Sequence, residues 1–349
     1  MLKVAFGASL EDLLPVFVNQ LQSSRKTSSL LDSVLTPEWV ITPSLGIRSW
    51  LVKETASRLG AEGKKTDGIV ANWLQEFPSR LTSHVLDGHL QRTRGLDVDP
   101  WGLPQLQFLI FEWAHLNASQ PSAALVQEST GAISLARCRQ LADLFDRYLT
   151  WRPGMVQRWL HGVTITESHE EASQMEAFVA VRNFIGVPCS AERWDEAWSD
   201  IEMVHANLPV RDRLSIFGLS SLPGGLRYVE ALSRLSKVMD VNIFLVDPFS
   251  ESIRPQNGDR EKFETDALRM WGGAGLALRS MGDAIRQELK SEPIARPKLP
   301  EKPSTLLEGI QYALRSDVLF KKHARDASVI VHETHGEARQ AEVLRDAIF

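Results

Sequence analysis

The sequence predicts an α/β protein: a parallel sheet of P-loop type carrying a large all-helical insertion. Three observations lead there. Short apolar strands alternate with amphipathic helices at the start of the chain, which implies parallel pairing with right-handed crossovers. From about Arg80 to Ala206 the periodicity is helical, with no convincing strand. Beyond Leu214 the strand signal returns.

The first strand is expected over Leu2 to Phe6. Ser9 reads as an N-cap, with Asp12 three residues on as an acidic form of the capping box. Leu10, Leu13, Leu14, Phe17 and Leu21 then form the inward face of a helix. Residues 22–36 are polar and read as a loop. Trp39, Val40 and Ile41 make a second strand, which Pro43 ends because proline cannot donate to a sheet ladder. A tight turn is expected at Gly46, followed by a helix with Ile47, Leu51, Thr55 and Leu59 on one side and a stop at Gly60.

A strand, a glycine turn and a helix is the arrangement that nucleotide-binding proteins use for a phosphate loop. A working loop reads G-x-x-x-x-G-K-[ST]. Here no glycine lies five residues before Gly46, and Ile47-Arg48 stands where Lys-Ser or Lys-Thr belongs. The turn of Ser44, Gly46 and Arg48 therefore reads as a nucleotide-binding architecture that no longer binds nucleotide. An ordinary strand–helix turn is the plainer alternative.

Residues 62–68 read as a solvated turn. In the helical block, Leu103–His115, Leu135–Leu149 and Ser173–Ile185 show the clearest apolar stripes. Leu214–Phe217 then leads through Gly218 and Pro223-Gly-Gly225 into a helix, and Val241–Val246 forms a further strand ending at Asp247-Pro248. Helices are expected over Leu276–Leu289 and Leu306–Leu319, a strand over Ser328–His332, and a last helix from Glu337. The chain stops in that helix without a cap or polar tail, which reads as a cut inside a domain. An apolar face of Val343, Leu344, Ile348 and Phe349 is expected to lack cover.

Composition narrows the function. The 349 residues suggest two or three domains at about 150 residues each. Hydrophobic and charged shares of 43% and 24% are ordinary globular values. A net charge of −5 supplies no global field to recruit nucleic acid, so any DNA contact needs a local patch or a partner. Two cysteines, Cys138 and Cys189, make no disulfide framework, and a reducing cytoplasm is expected. Neither a signal peptide nor an apolar run near the ~20 residues of a membrane span is evident.

Several motifs bear on chemistry. Gly218-Leu-Ser-Ser-Leu222 imitates a nucleophile elbow around Ser220, but the last glycine is missing and Leu222-Pro223 obstructs the backbone approach. Gly272-Gly-Ala-Gly275 follows no strand. His84 with His89, and His332 with His335, lack a third ligand, so no metal site is expected. Asp247 closes a strand where a Walker-B acid could sit, but without the phosphate-cradling lysine it carries little weight. The most informative surface is on the Leu135–Leu149 helix. Arg139, Asp143, Asp146 and Thr150 share one face opposite the apolar stripe, and Arg152 follows before Pro153 blocks continuation. A solvated face with Asp143–Arg147 paired at i,i+4 is the structural alternative.

Taken in order, these stretches resemble the N-terminal third or so of the RecC family, the gamma subunits of exodeoxyribonuclease V, the RecBCD helicase–nuclease. The resemblance is carried by Ile41-Thr-Pro-Ser-Leu-Gly46 with Trp50-Leu51, and by Ala142-Asp-Leu-Phe-Asp-Arg-Tyr-Leu149 continuing to Arg152-Pro153 and Trp159. Phe217–Pro223, Leu306–Gln311 and His335–Leu344 add to it. It implies a superfamily-1 helicase-like fold that has lost its ATPase. Residues 1–79 and 207–325 would be the two parts of that α/β domain, 80–206 the helical insertion, and 326–349 the start of a second α/β domain. It also implies a non-catalytic subunit that splits duplex DNA and inspects the 3′ strand for a recombination signal. Its partners would be a RecB-like helicase–nuclease and a RecD-like helicase, which alone use ATP and magnesium. By the same resemblance, Asp143, Leu144, Asp146 and Arg152 fall on strand-scanning positions. The family's polar reading positions fall here on Pro43, Leu45 and Ser49, and an arginine expected after Arg193-Trp194 falls on Glu196. These departures imply a signal other than the family's Chi octamer, or none.

Overall fold

The computed structural model describes residues 2–27, 37–59, 69–219, 225–249, 303–320 and 326–348, together with 253, 265–273 and scattered positions of 275–285. The expected turn at 62–68, Ser220, and much of the helix expected over 276–289 lie outside the described residues. The described chain falls into two compact units. One comprises Met1–Val246 with Met281–Ala295, the other Asp247–Ser280 with Arg296–Phe349.

The first unit is built on a five-stranded, wholly parallel sheet of β1 (Leu2–Gly7), β2 (Glu38–Ile41), β3 (Trp73–Glu76), β4 (Arg213–Leu219) and β5 (Asp240–Val246). The order is β1-β5-β4-β2-β3. The later strands β4 and β5 therefore fill the gap between β1 and β2. Their ladders run Trp39↔Leu214 through Ile41↔Ile216, and Leu2↔Val241 through Gly7↔Val246. The central strand β4 is buried at all seven positions, as expected when helices cover both faces of a parallel sheet.

Strand alternation assigns the two faces. Val40, Phe217, Phe244 and Ala5 pack with Phe17 and Leu21 of α1 (Leu10–Thr27) and with Leu51 of α2 (Leu45–Arg58). Phe17 stands edge-on to Phe217 and Phe244 at 5.4 and 5.3 Å. On the other face, Trp39 meets the ring of His84 in α3 (Pro78–Arg94). Tyr228 of α10 (Leu226–Leu235) donates to the Pro78 carbonyl at 3.2 Å.

Between β3 and β4 the chain forms the helical insertion. It runs through α3, α4 (Leu103–Leu116), a short 3₁₀ turn, α5 (Leu135–Trp151), α6 (Pro153–Leu160), α7 (His169–Ile185), α8 (Ser190–Ala197) and α9 (Ile201–Ala206). Its core gathers Leu106, Ile110 and Trp113 with Phe145, Trp159 and Phe178, all buried. Phe178 touches Phe145, Trp101 and Trp159 at ring separations of 5.0, 5.4 and 6.0 Å. Cys138 and Cys189 sit in this core as free thiols, and burial pushes them up to about 11 and about 12.

Four expectations change. Gly46 is not in a turn: Ser44 is the N-cap, so Gly46 already lies in the first helical turn of α2. The helix α1 runs to Thr27, through residues expected as loop. An edge strand, β3, had no counterpart in the sequence reading. It pairs with β2 from Glu38↔Trp73 to Ile41↔Glu76. Residues 329–334 have no regular secondary structure, where a strand was expected over Ser328–His332. They lie in the second unit, where the described residues offer no strand edge to pair with, and Val331 is 89% exposed. That unit also holds α11 (Asp266–Trp271), α12 (Leu306–Ser316) and α13 (Glu337–Ile348). Thr265 donates through its backbone and hydroxyl to Asp317 at 3.0 and 2.9 Å, and α13 buries none of its residues.

Candidate functional site

Two places are candidate sites, and sequence pattern points to the first and to one wall of the second. The first is the C-terminal edge of the sheet, where ligands bind in open α/β proteins. Ser44 Oγ accepts from the Ile47 N–H at 3.2 Å and so caps α2 with the chain's own hydroxyl. Arg48 donates through Nε to Gln75 Oε1 of β3 at 2.7 Å. Gly46 has no special need to be glycine: a Cβ there would meet only Ser44 Oγ, at 3.9 Å. Nearby, Gly218 does need it. Its φ is +71°, and a Cβ would lie 2.8 Å from Leu10 Cδ2.

The second place is a cleft of about 490 Å³ between α3, the turn at residues 97–102, the α5–α6 junction, α8 and α10. Its parts are fixed one by one. Glu76, at the end of β3, accepts from Trp39 Nε1 at 3.0 Å and pairs with His84 at 3.0 Å and Arg80 at 3.6 Å. These contacts seat α3 on the sheet. Gly95, in the left-handed region at φ +66°, ends α3. Asp99 then accepts from the Trp101 N–H at 3.0 Å and pairs with Arg193 of α8. Trp101 donates in turn to the Val187 carbonyl at 2.8 Å. Glu192 caps α8 by accepting from the Cys189 N–H at 2.7 Å, and Arg182 holds that carboxylate at 2.8 Å. Pro153 stops α5 and opens α6 at Arg152.

The cleft is chemically divided. Asp87, Asp97, Asp99 and Asp146 supply carboxylates, Arg80 and Arg227 guanidinium groups, and Trp101 and Trp194 rings. Burial raises the Asp87 carboxyl above its usual range, with Asp99 adding to the effect and Arg193 opposing it. Burial also raises Asp146, helped by Asp143 and opposed by Arg147. Carboxylates held where ionisation is disfavoured are a mark of functional sites. Burial lowers His89 against the pull of Glu196. Among the described residues, no group of three histidine, cysteine, aspartate or glutamate side chains is disposed to hold a metal ion.

The four scanning candidates do not come together at the cleft. Asp146 lines it, with Thr150 one turn on. Asp143 is paired with Arg147, whose Nε lies 2.9 Å from Oδ2. Leu144 packs against the insertion core. Arg152 is exposed, its guanidinium carbon 6.0 Å from the centre of the Tyr148 ring. The sequence reading missed Asp87, Asp99, Arg193 and Arg227. One signal was available: Arg193 is a charge inside the buried stripe of Ala191 and Ala197 and therefore needs a partner.

An open parallel sheet interrupted by a helical module, with a polar cleft where that module meets α10, defines an α/β protein with a large helical insertion. The RecC N-terminal domain model matches residues 2–315, and the chain belongs to the RecC family. It is similar to the RecBCD enzyme subunit RecC of Mycobacterium tuberculosis (strain ATCC 25618 / H37Rv), 25% identical over 89% of this chain and 30% of that protein. The corresponding subunit of Mycolicibacterium smegmatis is 25% identical over 92% of this chain and 29% of that protein. The Escherichia coli K12 subunit is 23% identical over 62% of this chain and 19% of its own length. The chain thus spans less than a third of the length of the curated relatives it matches.

Proposed function

We propose that this chain is the strand-handling part of a non-catalytic subunit in a RecBCD-type helicase–nuclease, acting in double-strand-break repair by homologous recombination. Its sheet is a helicase-like scaffold without ATPase chemistry. Its insertion inspects the 3′ single strand after the duplex is split. The partners in this reading are a RecB-like helicase–nuclease and a RecD-like helicase, which use the ATP and magnesium.

The observation that carries the reading is the position of Asp146. It belongs to the family-like Asp-Leu-Phe-Asp stretch, and it is the member of that stretch lining the cleft. Carboxylates repel phosphates and accept hydrogen bonds from exocyclic amino groups of bases, so a cleft of this kind suits base edges. At the sheet edge, the self-capped Ser44 and the engaged Arg48 support the inactive phosphate-loop reading, because no lysine is present to hold β- and γ-phosphates.

Affinity purification of the full-length protein tests the assembly: a helicase–nuclease partner in stoichiometric amount is expected, and a protein isolated alone under low salt contradicts it. Calorimetry with Mg-ATP tests the scaffold. No binding at micromolar concentration is expected; such binding, abolished by Gly46→Trp, contradicts it.

A further inference from the structure

We propose that the Arg80–Arg227 part of the cleft is a phosphate subsite for single-stranded nucleic acid, seating one backbone phosphate beside the base that faces the carboxylates. The proposal rests on the strand-handling reading above and adds the group that anchors the strand. Arg227 lines the cleft, and its Nη1 is buried without a hydrogen-bond partner among the described residues. A buried guanidinium N–H is costly to leave unmade, so Arg227 gains by turning this group to an acceptor that enters the cleft.

The local structure holds Arg227 in place. The next residue, Tyr228, is wholly buried, and its hydroxyl donates to the Pro78 carbonyl at 3.2 Å. That contact sets Arg227 beside the first turn of α3, which contributes Ser79 and Arg80 to the same cleft. Arg80 gives one edge to Glu76 at 3.6 Å, and its side chain remains 51% exposed. Phe77 offers α3 no side-chain cap, so the positive end of the helix dipole adds to the field of the two arginines. Asp87 lies about 10 Å further along α3, beside Asp99.

This division selects the ligand. A free anion would satisfy the arginines and leave the acidic part of the cleft facing water. A nucleotide within a strand satisfies both: its phosphate meets Arg227 and Arg80, and its base presents donors to Asp87, Asp99 or Asp146. Trp194, also lining the cleft, offers a ring on which a base can stack. The volume of about 490 Å³ falls within the range of sites that enclose a ligand of this size.

The test measures binding of a short fluorescent single-stranded oligonucleotide to the full-length protein in its native complex, across a salt series and several sequences. Arg227→Gln is expected to weaken every sequence alike, and to reduce the slope of log affinity against log salt by about 0.7, the value for one phosphate on a single strand. Arg227→Lys should keep most of the slope. Arg80→Gln, at a half-exposed position, should reproduce a part of the loss. Asp146→Asn should leave the slope alone and change the ranking of sequences. If the unaltered complex binds strands, and both glutamine variants keep its affinity and slope, the phosphate subsite is wrong while the strand reading stands. If the unaltered complex binds no single strand, both fall.

Discussion

Removing one member of the Glu38–Arg213 pair should cost far more than removing both. Glu38 opens β2 and Arg213 opens β4; both are buried, at 8% and 7% exposure, and the guanidinium forks onto the carboxylate. Arg213 also donates to the Gln20 carbonyl of α1 at 3.4 Å, so the pair ties sheet and helix together. In Arg213→Met the Glu38 carboxylate stays buried without its counter-charge. Such a loss costs about 3–5 kcal/mol, a large part of the ~5–15 kcal/mol that stabilises a domain. Replacing both by methionine removes the stranded charge and fills the space with apolar atoms, which is often neutral. A double-mutant cycle by urea unfolding should then give each single variant a cost of about 3 kcal/mol or more. The double variant should fall well below their sum. Additive costs below about 1 kcal/mol each would refute the reasoning, since that is how solvent-screened pairs behave.

Other outcomes follow from the same geometry. Phe178→Ala should destabilise the insertion by about 3–5 kcal/mol, because Phe178 is wholly buried among three aromatic rings; thermal unfolding checks it. Gly46→Ala should fold normally, whereas Gly218→Ala should lose stability through its left-handed backbone and the Leu10 contact. Glu171 accepts from the Ile165 and Thr166 backbone N–H groups, from the Thr166 hydroxyl and from Trp159, which together hold its carboxyl down to about 2. A depressed carboxyl stabilises the fold above its unfolded value and loses that contribution as pH falls towards the folded one. Hydrogen exchange at residues 165–166 should therefore quicken as pH is lowered from about 4.5 towards 2, relative to a Glu171→Gln reference.

Much of the sheet was legible because its central strands are buried on both faces and read as apolar runs. Leu214–Phe217 and Val241–Val246 are of that kind, and the insertion helices show periodic stripes that the structure buries. The edge strand β3 was not legible. It has four half-buried residues, Trp73–Glu76, and follows Asn72 at φ +58°. Its pairing with β2 comes from the sheet rather than from its own pattern. Gly46 misled because glycine suggests a turn, while the Ser44 hydroxyl two residues earlier had already started the helix. On α5, helical spacing placed Asp143 and Asp146 on one face, and both are there. Spacing along one helix does not reveal what stands opposite it. Asp99 meets Arg193 across 94 residues, and Arg227 arrives from beyond β4. Only the packing of the insertion on the sheet creates the cleft and separates Asp146 from its neighbour.

Whether the cleft reads the strand is decided by comparing three variants of the full-length protein in its complex, with sequence-dependent pausing or nuclease attenuation as the readout. Asp146→Ala, inside the cleft, should leave unwinding nearly intact and change the response to the recombination signal. Asp143→Ala, paired with Arg147 outside it, and Arg152→Ala should change that response less. An unaltered signal response in all three would mean that this face of α5 is a solvated, salt-bridged surface and that the cleft does not read the strand.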